Sequence, residues 1–261
     1  MGRHATDGLT NDWHQVHDPS IARGGAGLVI VEATGVSPEG RITPGCTGLW
    51  NDEQAEGLSR IAAGIKAAGA VPGIQIGHAG RKASANRPWE GDDHIAEGAP
   101  DSWPTITPSA IAYGENLPRV PRAMTLEDIA RVQADFVAAA RRARERGLDL
   151  LNVSVNFVIP GTQIPWVTPA FLAPIAQRVS REAGVPVASS WCIDDPRTAE
   201  RVVAEGQMSL VMIGRAHLAN PHYAYHLAQT LGEDQPDWKL PAPYAHWLSR
   251  YRGAGRSAAA Q

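Results

Sequence analysis

The apolar run Val71–Ile76 (VPGIQI) carries a carboxamide, Gln75, near its end and an imidazole, His78, just beyond it. Gln75 can donate and accept hydrogen bonds at once, or it can be a buried glutamine satisfied by neighbouring backbone. His78 can move a proton near neutral pH, or it can hold the loop that follows by hydrogen bonds. Farther on, Gly214 and Arg215 follow the apolar run LVMI. They offer a main-chain amide with no Cβ in the way and a forked cation that suits phosphate oxygens; a structural arginine is the alternative. Histidines also stand at His14, His17, His217, His222 and His226. Four residues part His222 from His226, one turn on a helix, but no third ligand with recognisable spacing accompanies them, so no metal is expected.

The elements that must position these groups alternate in type. Residues 13–23 read as a helix interrupted or restarted at Pro19. Leu28–Ala33 (LVIVEA) is a continuous apolar run, typical of a strand buried on both faces. Residues 52–68 have helical periodicity through Leu58, Ile61 and Ile65, with Gly69 as C-cap. Val71–Ile76 is the next strand. After a Pro- and Trp-rich excursion over 77–123, Thr125 opens a capping box with Asp128, and that helix runs to Arg146. Strands follow at Leu148–Val155, Val185–Ser190 and Leu210–Gly214, with helices at 168–183, 196–205 and 221–231. Repeated β-then-α units with buried strands imply a parallel sheet of about five strands, where a closed (β/α) barrel needs eight.

The chain has 261 residues, 43% hydrophobic and 20% charged, with a formal charge of −3. That balance disfavours nucleic acid and membrane surfaces as partners. The arginines at 141, 142, 144 and 146 read as the polar face and last turn of a helix. Two cysteines, Cys46 and Cys192, and the lack of an apolar signal core near the N-terminus make a cytoplasmic location the expectation. Residues 1–252 are expected to form one domain, with a flexible tail over 253–261.

Ordered blocks covering most of the chain resemble the Old Yellow Enzyme family of TIM-barrel, flavin-dependent ene-reductases, of the xenobiotic-reductase type. They are NDWHQVH with ARGGAGLVIVEATGVSPEGRITPG, then VPGIQIGHAGRKASANRPWEGDD, PSAIAYGENLPRVPRAMTLEDIARV, IPWVTPAFLAPIAQRV, GRAHLANPHYAY and PAPYAHWLSRYR. The resemblance implies FMN as cofactor and NAD(P)H as reductant. It places Ala33 where a small residue lets backbone approach the isoalloxazine, Gln75 on the flavin pyrimidine, and Gly214 with Arg215 on the FMN phosphate. Trp191 opens the segment that in the family is a Gly-rich turn facing the same phosphate. Tyr244 and Trp247 match aromatic residues lining the substrate pocket; packing of loops onto the barrel is the alternative.

The departures are as specific as the matches. Gly2 and His4 stand where the family has a redox-tuning cysteine and a tyrosine, and Cys192 and Asp194 replace glycines of the turn. The family's first, fourth and fifth strands have no counterpart, among them those bearing its His pair and a flavin-contacting arginine. A TIM-barrel-derived α/β fold with about five family-type strands is therefore expected. FMN is expected to be weakly held or lost, and a small apolar or enone-like molecule is the expected substrate. Open sheet edges and uncovered helices point to a homodimer. A flavin-free isomerase, cyclase or lyase that reuses the aromatic pocket, with His78 as acid–base, is the competing reading, beside a non-catalytic remnant.

Overall fold

The computed structural model describes residues 4–153, 168–174, 176, 177, 181, 188–190 and 192–251. The chain divides into two compact units, one of residues 1–22 and 27–162, the other of 23–26 and 163–261.

The first unit is built on a parallel sheet in the order β1-β2-β5. It runs α1 (Asp12–Arg23), β1 (Leu28–Gly35), α2 (Asp52–Ala67), β2 (Val71–Gly77), β3 (Ile106–Thr107), β4 (Arg122–Ala123), α3 (Leu126–Glu145) and β5 (Leu150–Val153). Consecutive parallel strands need a crossover, and α2 and α3 supply it. Both helices start on capping boxes. Asn51 accepts from the Gln54 amide while Gln54 reaches back, and Thr125 and Asp128 do the same for α3. Gly69, at φ +87°, takes the left-handed conformation that lets the chain turn from α2 into β2.

The core lies between the sheet and α2. Val31, Ile74 and Ile76 are sealed from solvent, as are Leu58, Ile61 and Ile65 at helical spacing on α2. Pro19 corrects the expectation of a broken first helix, because α1 runs through it. Its ring packs on Gly64 of α2, where an added Cβ would come within 2.8 Å of Pro19 Cγ. This packing accompanies the lost hydrogen bond of a mid-helix proline. The 77–123 excursion carries three-residue helical turns and the two-residue parallel pair β3–β4, joined at Ile106↔Arg122.

The second unit contains β6 (Ala188–Ser189), α4 (Pro196–Ala204), β7 (Leu210–Val211), α5 (Arg215–Ala219), α6 (Tyr223–Leu231) and α7 (Ala242–Leu248). β6 and β7 pair in parallel, Ala188 beside Leu210. Ile193, Val202 and Met208 centre its apolar cluster with Ala170, Ala173 and Ala176. Five parallel strands, β1, β2, β5, β6 and β7, fall at the five positions expected. Of the helix expected at 168–183, residues 168–172 form a bend and turns, and 173, 174, 176, 177 and 181 are helical; 175, 178–180, 182 and 183 lie outside the described residues, as does the tail from 252 on.

Because Ile74 is fully buried on the central strand, Ile74→Ala is expected to lower unfolding free energy by about 2–5 kcal/mol. Urea denaturation followed by circular dichroism measures this; a loss below about 1 kcal/mol would contradict the packing described.

Candidate functional site

Parallel strands bring their C-terminal ends to one edge of a sheet, and Gln75 lies near that edge on β2, paired with Asn152 of β5. Its neighbours Ile74 and Ile76 are buried on the opposite face, while Gln75 itself is half-buried. The Gln75 carboxamide makes no hydrogen bond among the described residues, so its donor and acceptor both remain available. On β1 the pairing register shifts between Val31 and Thr34. Glu32 and Ala33 occupy this irregularity, and such bulges re-aim side chains at the end of a strand. Ala33 is half-exposed and presents only a methyl group.

His78 takes a different direction. Its Nδ1 accepts a hydrogen bond from the Gly80 amide at 3.2 Å, which leaves the proton of the neutral ring on Nε2. That Nε2 is buried with no partner among the described residues, and so is the Ser37 hydroxyl. Both side chains crowd Gly40, where a Cβ would stand 2.9 Å from His78 Cδ2 and 3.0 Å from Ser37 Oγ. Burial holds His78 below the ordinary imidazole range, against the opposing pull of Glu39. Glu39 itself meets Arg131 of α3 at 2.6 Å, and Arg131 also meets Asp135 at 3.1 Å. Burial raises Glu39, but hydrogen bonding to its own backbone and to Arg131 outweighs this and leaves the carboxyl low. The imidazole thus braces the 37–40 turn, and no hydrogen bond joins it to Gln75.

In the second unit, Gly214 is the residue before α5 and Arg215 is its first residue. A Cβ at Gly214 would meet nothing within 4 Å. Arg215 is exposed and forms no hydrogen bond or ion pair among the described residues. Trp191 lies outside the described residues. Cys192 has φ +53°, a conformation that glycine adopts without strain. Asp194 is exposed, and its carbonyl accepts a hydrogen bond from the Tyr223 hydroxyl. The neighbouring Asp195 is the cap of α4, accepting from the Thr198 amide at 2.8 Å. Tyr244 and Trp247 lie on α7, 40% and 71% exposed. A cavity of about 150 Å³ in this unit is lined by Gly25, Tyr225, Trp238, Leu240 and their neighbours. It holds none of the expected site residues and is smaller than a cofactor pocket. Among the described residues, no group of three His, Cys, Asp or Glu side chains could hold a metal.

Sequence reasoning passed over a polar cluster between α1 and β1. His14 is buried, with Nε2 3.5 Å from Glu32 Oε1, and Asp18 is buried beside them. The available signal was His14 and Asp18 one helical turn apart, together with a carboxylate inside the apolar run LVIVEA. Burial, reinforced by the charge of Glu32 and opposed by His14, lifts the Asp18 carboxyl to about 7. Beside this cluster the Trp13 ring stacks on His17, at 4.3 Å between centroids, and packs on His4 at 4.5 Å. His4 in turn stacks on Trp89 at 5.9 Å.

The parallel β/α units define a protein derived from a TIM barrel, and comparison with solved structures agrees. Morphinone reductase in complex with tetrahydroNAD superposes with a TM-score of 0.65 at 18% identity, over 97% of this chain and 89% of that one. A 2-naphthoyl-CoA reductase complex superposes with a TM-score of 0.72 at 18% identity, over 91% of this chain and 49% of that one. The sequence pattern of the NADH:flavin oxidoreductase / NADH oxidase family matches residues 1–156. The chain belongs to that family, the Old Yellow Enzyme family. An NADPH dehydrogenase of Geobacillus thermodenitrificans is 29% identical over 311 positions, covering 87% of this chain and 86% of the relative. Since 87% of 261 residues is about 227, roughly 84 of those positions have no residue here, so the chain is shortened relative to its homologue. NADH:flavin oxidoreductase FG08077 of Gibberella zeae is 39% identical over 182 residues, which cover 69% of this chain but only 42% of that protein.

The Asp18 environment has a definite sign in pH. The folded-state carboxyl, near 7, holds its proton more tightly than the unfolded one, near 3.8. Its contribution to stability is therefore full at low pH and is lost as pH rises through 7. Asp18→Asn should flatten this slope and stabilise the protein at pH 8 by up to about 4 kcal/mol, from about 1.4 kcal/mol per unit. Urea midpoints at pH 5 and pH 8 test it, and an unchanged difference between them would show that Asp18 ionises normally.

Proposed function

We propose that this chain is an FMN-dependent oxidoreductase that uses NAD(P)H to reduce activated C=C bonds of small, apolar, enone-like molecules. The observation that carries the reading is the unengaged Gln75 carboxamide near the C-terminal edge of β2, next to the bulged strand that bears Ala33. The groups present suit the cofactor in kind. Gln75 would pair with the donor and acceptor pattern of a flavin pyrimidine, and the methyl of Ala33 leaves room for a flat ring. Gly214, with open space where a Cβ would stand, and Arg215, exposed and without an ion pair among the described residues, would hold a phosphate. When bound, FMN would supply hydride transfer between nicotinamide and substrate.

This chain's own residues would bind and orient. His78, neutral and turned toward Ser37 and Gly40, is assigned a positioning role for the loop after β2. Tyr244 and Trp247 would offer aromatic surface to the substrate. No helix among the described residues is long and apolar enough to cross a membrane, and a cytoplasmic location is part of the proposal.

We further infer that FMN is held weakly. His4 is packed against Trp13 and Trp89 in place of a tyrosine that would face the flavin. Cys192 and Asp194 add side chains where the family keeps glycines. At about 1–3 kcal/mol for each lost hydrogen bond, losing three of the contacts that the family draws from its first and fifth strands and its Gly-rich turn would weaken binding roughly a hundredfold to a millionfold.

Fluorescence titration of the purified protein with FMN is expected to show micromolar or weaker binding. Arg215→Ala should abolish that binding, Gln75→Ala should weaken it roughly tenfold, and Asp194→Gly should tighten it. Protein that purifies stoichiometrically yellow would overturn the weak site. Absence of binding at millimolar FMN, or binding indifferent to Arg215 and Gln75, would overturn the flavin reading itself.

A further inference from the structure

The outward face of α3 carries an apolar stripe flanked by charge. Residues 126, 130, 134 and 137 are spaced by four, four and three, so Leu126, Ala130, Ala134 and Val137 form one stripe. All four are exposed, Leu126 by 82% and Val137 by 50%. The opposite face of the helix carries the buried Ala139 and Ala143. Arg142 and Arg146, on the inner flank, are already used in ion pairs to Asp52 and Glu56 of α2, each at 3.1 Å. Among the described residues, the stripe therefore lies outside the contacts that build the first unit.

Charge along the stripe is ordered. Glu127 stands at its start, and Arg141 and Arg144 stand at its end beside Glu145, which leaves that end net positive; all four are exposed and without an ion pair among the described residues. Glu127 lies seven residues before Ala134 and Arg141 seven after it. Seven residues are close to two helical turns, so all three share one face.

We propose that the outer face of α3 is a homodimer interface, in which two copies pack their α3 helices antiparallel about a twofold axis at Ala134. That symmetry sets Glu127 of one copy against Arg141 and Arg144 of the other, twice, and lays Ala130, Ala134 and Val137 between them. A parallel pairing would instead align like charges. Small side chains at the crossing allow an interaxial distance near the short end of about 8–10 Å. The antiparallel arrangement also brings the positive end of one helix dipole beside the negative end of the other. A lipid surface fits less well, because such helices carry basic residues along the polar face, whereas this stripe begins on an acidic one. The interface is independent of flavin binding. One helix pair buries less than the roughly 800 Å² per partner of a standard interface, so association is expected to be reversible in the micromolar range.

Sedimentation equilibrium across a micromolar concentration series should show the 27.9 kDa chain in equilibrium with a species of twice that mass. Val137→Glu should weaken association at least tenfold with circular dichroism unchanged. Glu127→Arg should also weaken it, and adding Arg141→Glu to that variant should restore it by exchanging the charges. Ala134→Cys should give a covalent dimer on mild oxidation. A wild-type chain that stays monomeric, or a dimer indifferent to Val137→Glu, would overturn the interface. A double charge exchange that fails to rescue, or an Ala134→Cys chain that does not cross-link, would overturn the antiparallel geometry.

Discussion

Parallel pairing of β2 on both its edges, with β1 on one side and β5 on the other, is the constraint on which the first unit depends. A strand bonded on both edges leaves its backbone no need of water, and so it can be buried on its faces as well. Ile74 and Ile76 use that freedom to pack with Leu58, Ile61 and Ile65 in the core. Parallel order also requires that each strand be followed by a crossover, which is what makes α2 and α3 obligatory rather than decorative. Their capping boxes mark where each crossover begins.

The same order gathers chemistry at one edge. Ala33, Ser37, Gln75 and His78 come from distant stretches of sequence, yet all sit at or beyond the C-terminal ends of β1 and β2. The pleat then sorts them. Gln75 is half-buried and its carboxamide makes no hydrogen bond among the described residues, whereas His78 turns to the 37–40 turn and is held by the Gly80 amide. Buried polar groups elsewhere serve the joint between α1 and β1, where His14 faces Glu32 and burial pushes the Asp18 carboxyl up to about 7. A cluster of that kind tends to specify one arrangement of helix on strand, because a slipped one would strand a buried charge.

Membership in a flavin oxidoreductase family, in a chain shortened by comparison with its relatives, places the fold and the chemistry under different constraints. The β1–α2–β2–α3–β5 succession keeps its packing intact, because each element contacts its neighbours in sequence. Binding groups drawn from many strands are more vulnerable, since removing a strand removes its side chains outright. The left-handed Cys192 illustrates the separation. The backbone there takes a conformation that favours glycine, although the residue is a cysteine.

The chain order of strands and helices could be read from the sequence because each rests on short-range physics. Apolar runs such as LVIVEA and VPGIQI declare strands buried on both faces, and Thr125 with Asp128 declares a helix start. Gln75 and Arg215 could be singled out because a polar group at the end of an apolar run is conspicuous in one dimension. Pro19 misled, because its cost is local while the Gly64 notch that receives it lies on another helix. The cluster of His14, Asp18 and Glu32 was missed for the same reason, since only packing α1 against β1 brings those charges together. The sequence placed His78 beside Gln75, but the tertiary structure decided which way each side chain points, because the alternation of a strand and the space left by Gly40 are settled only when the sheet and its loops are packed.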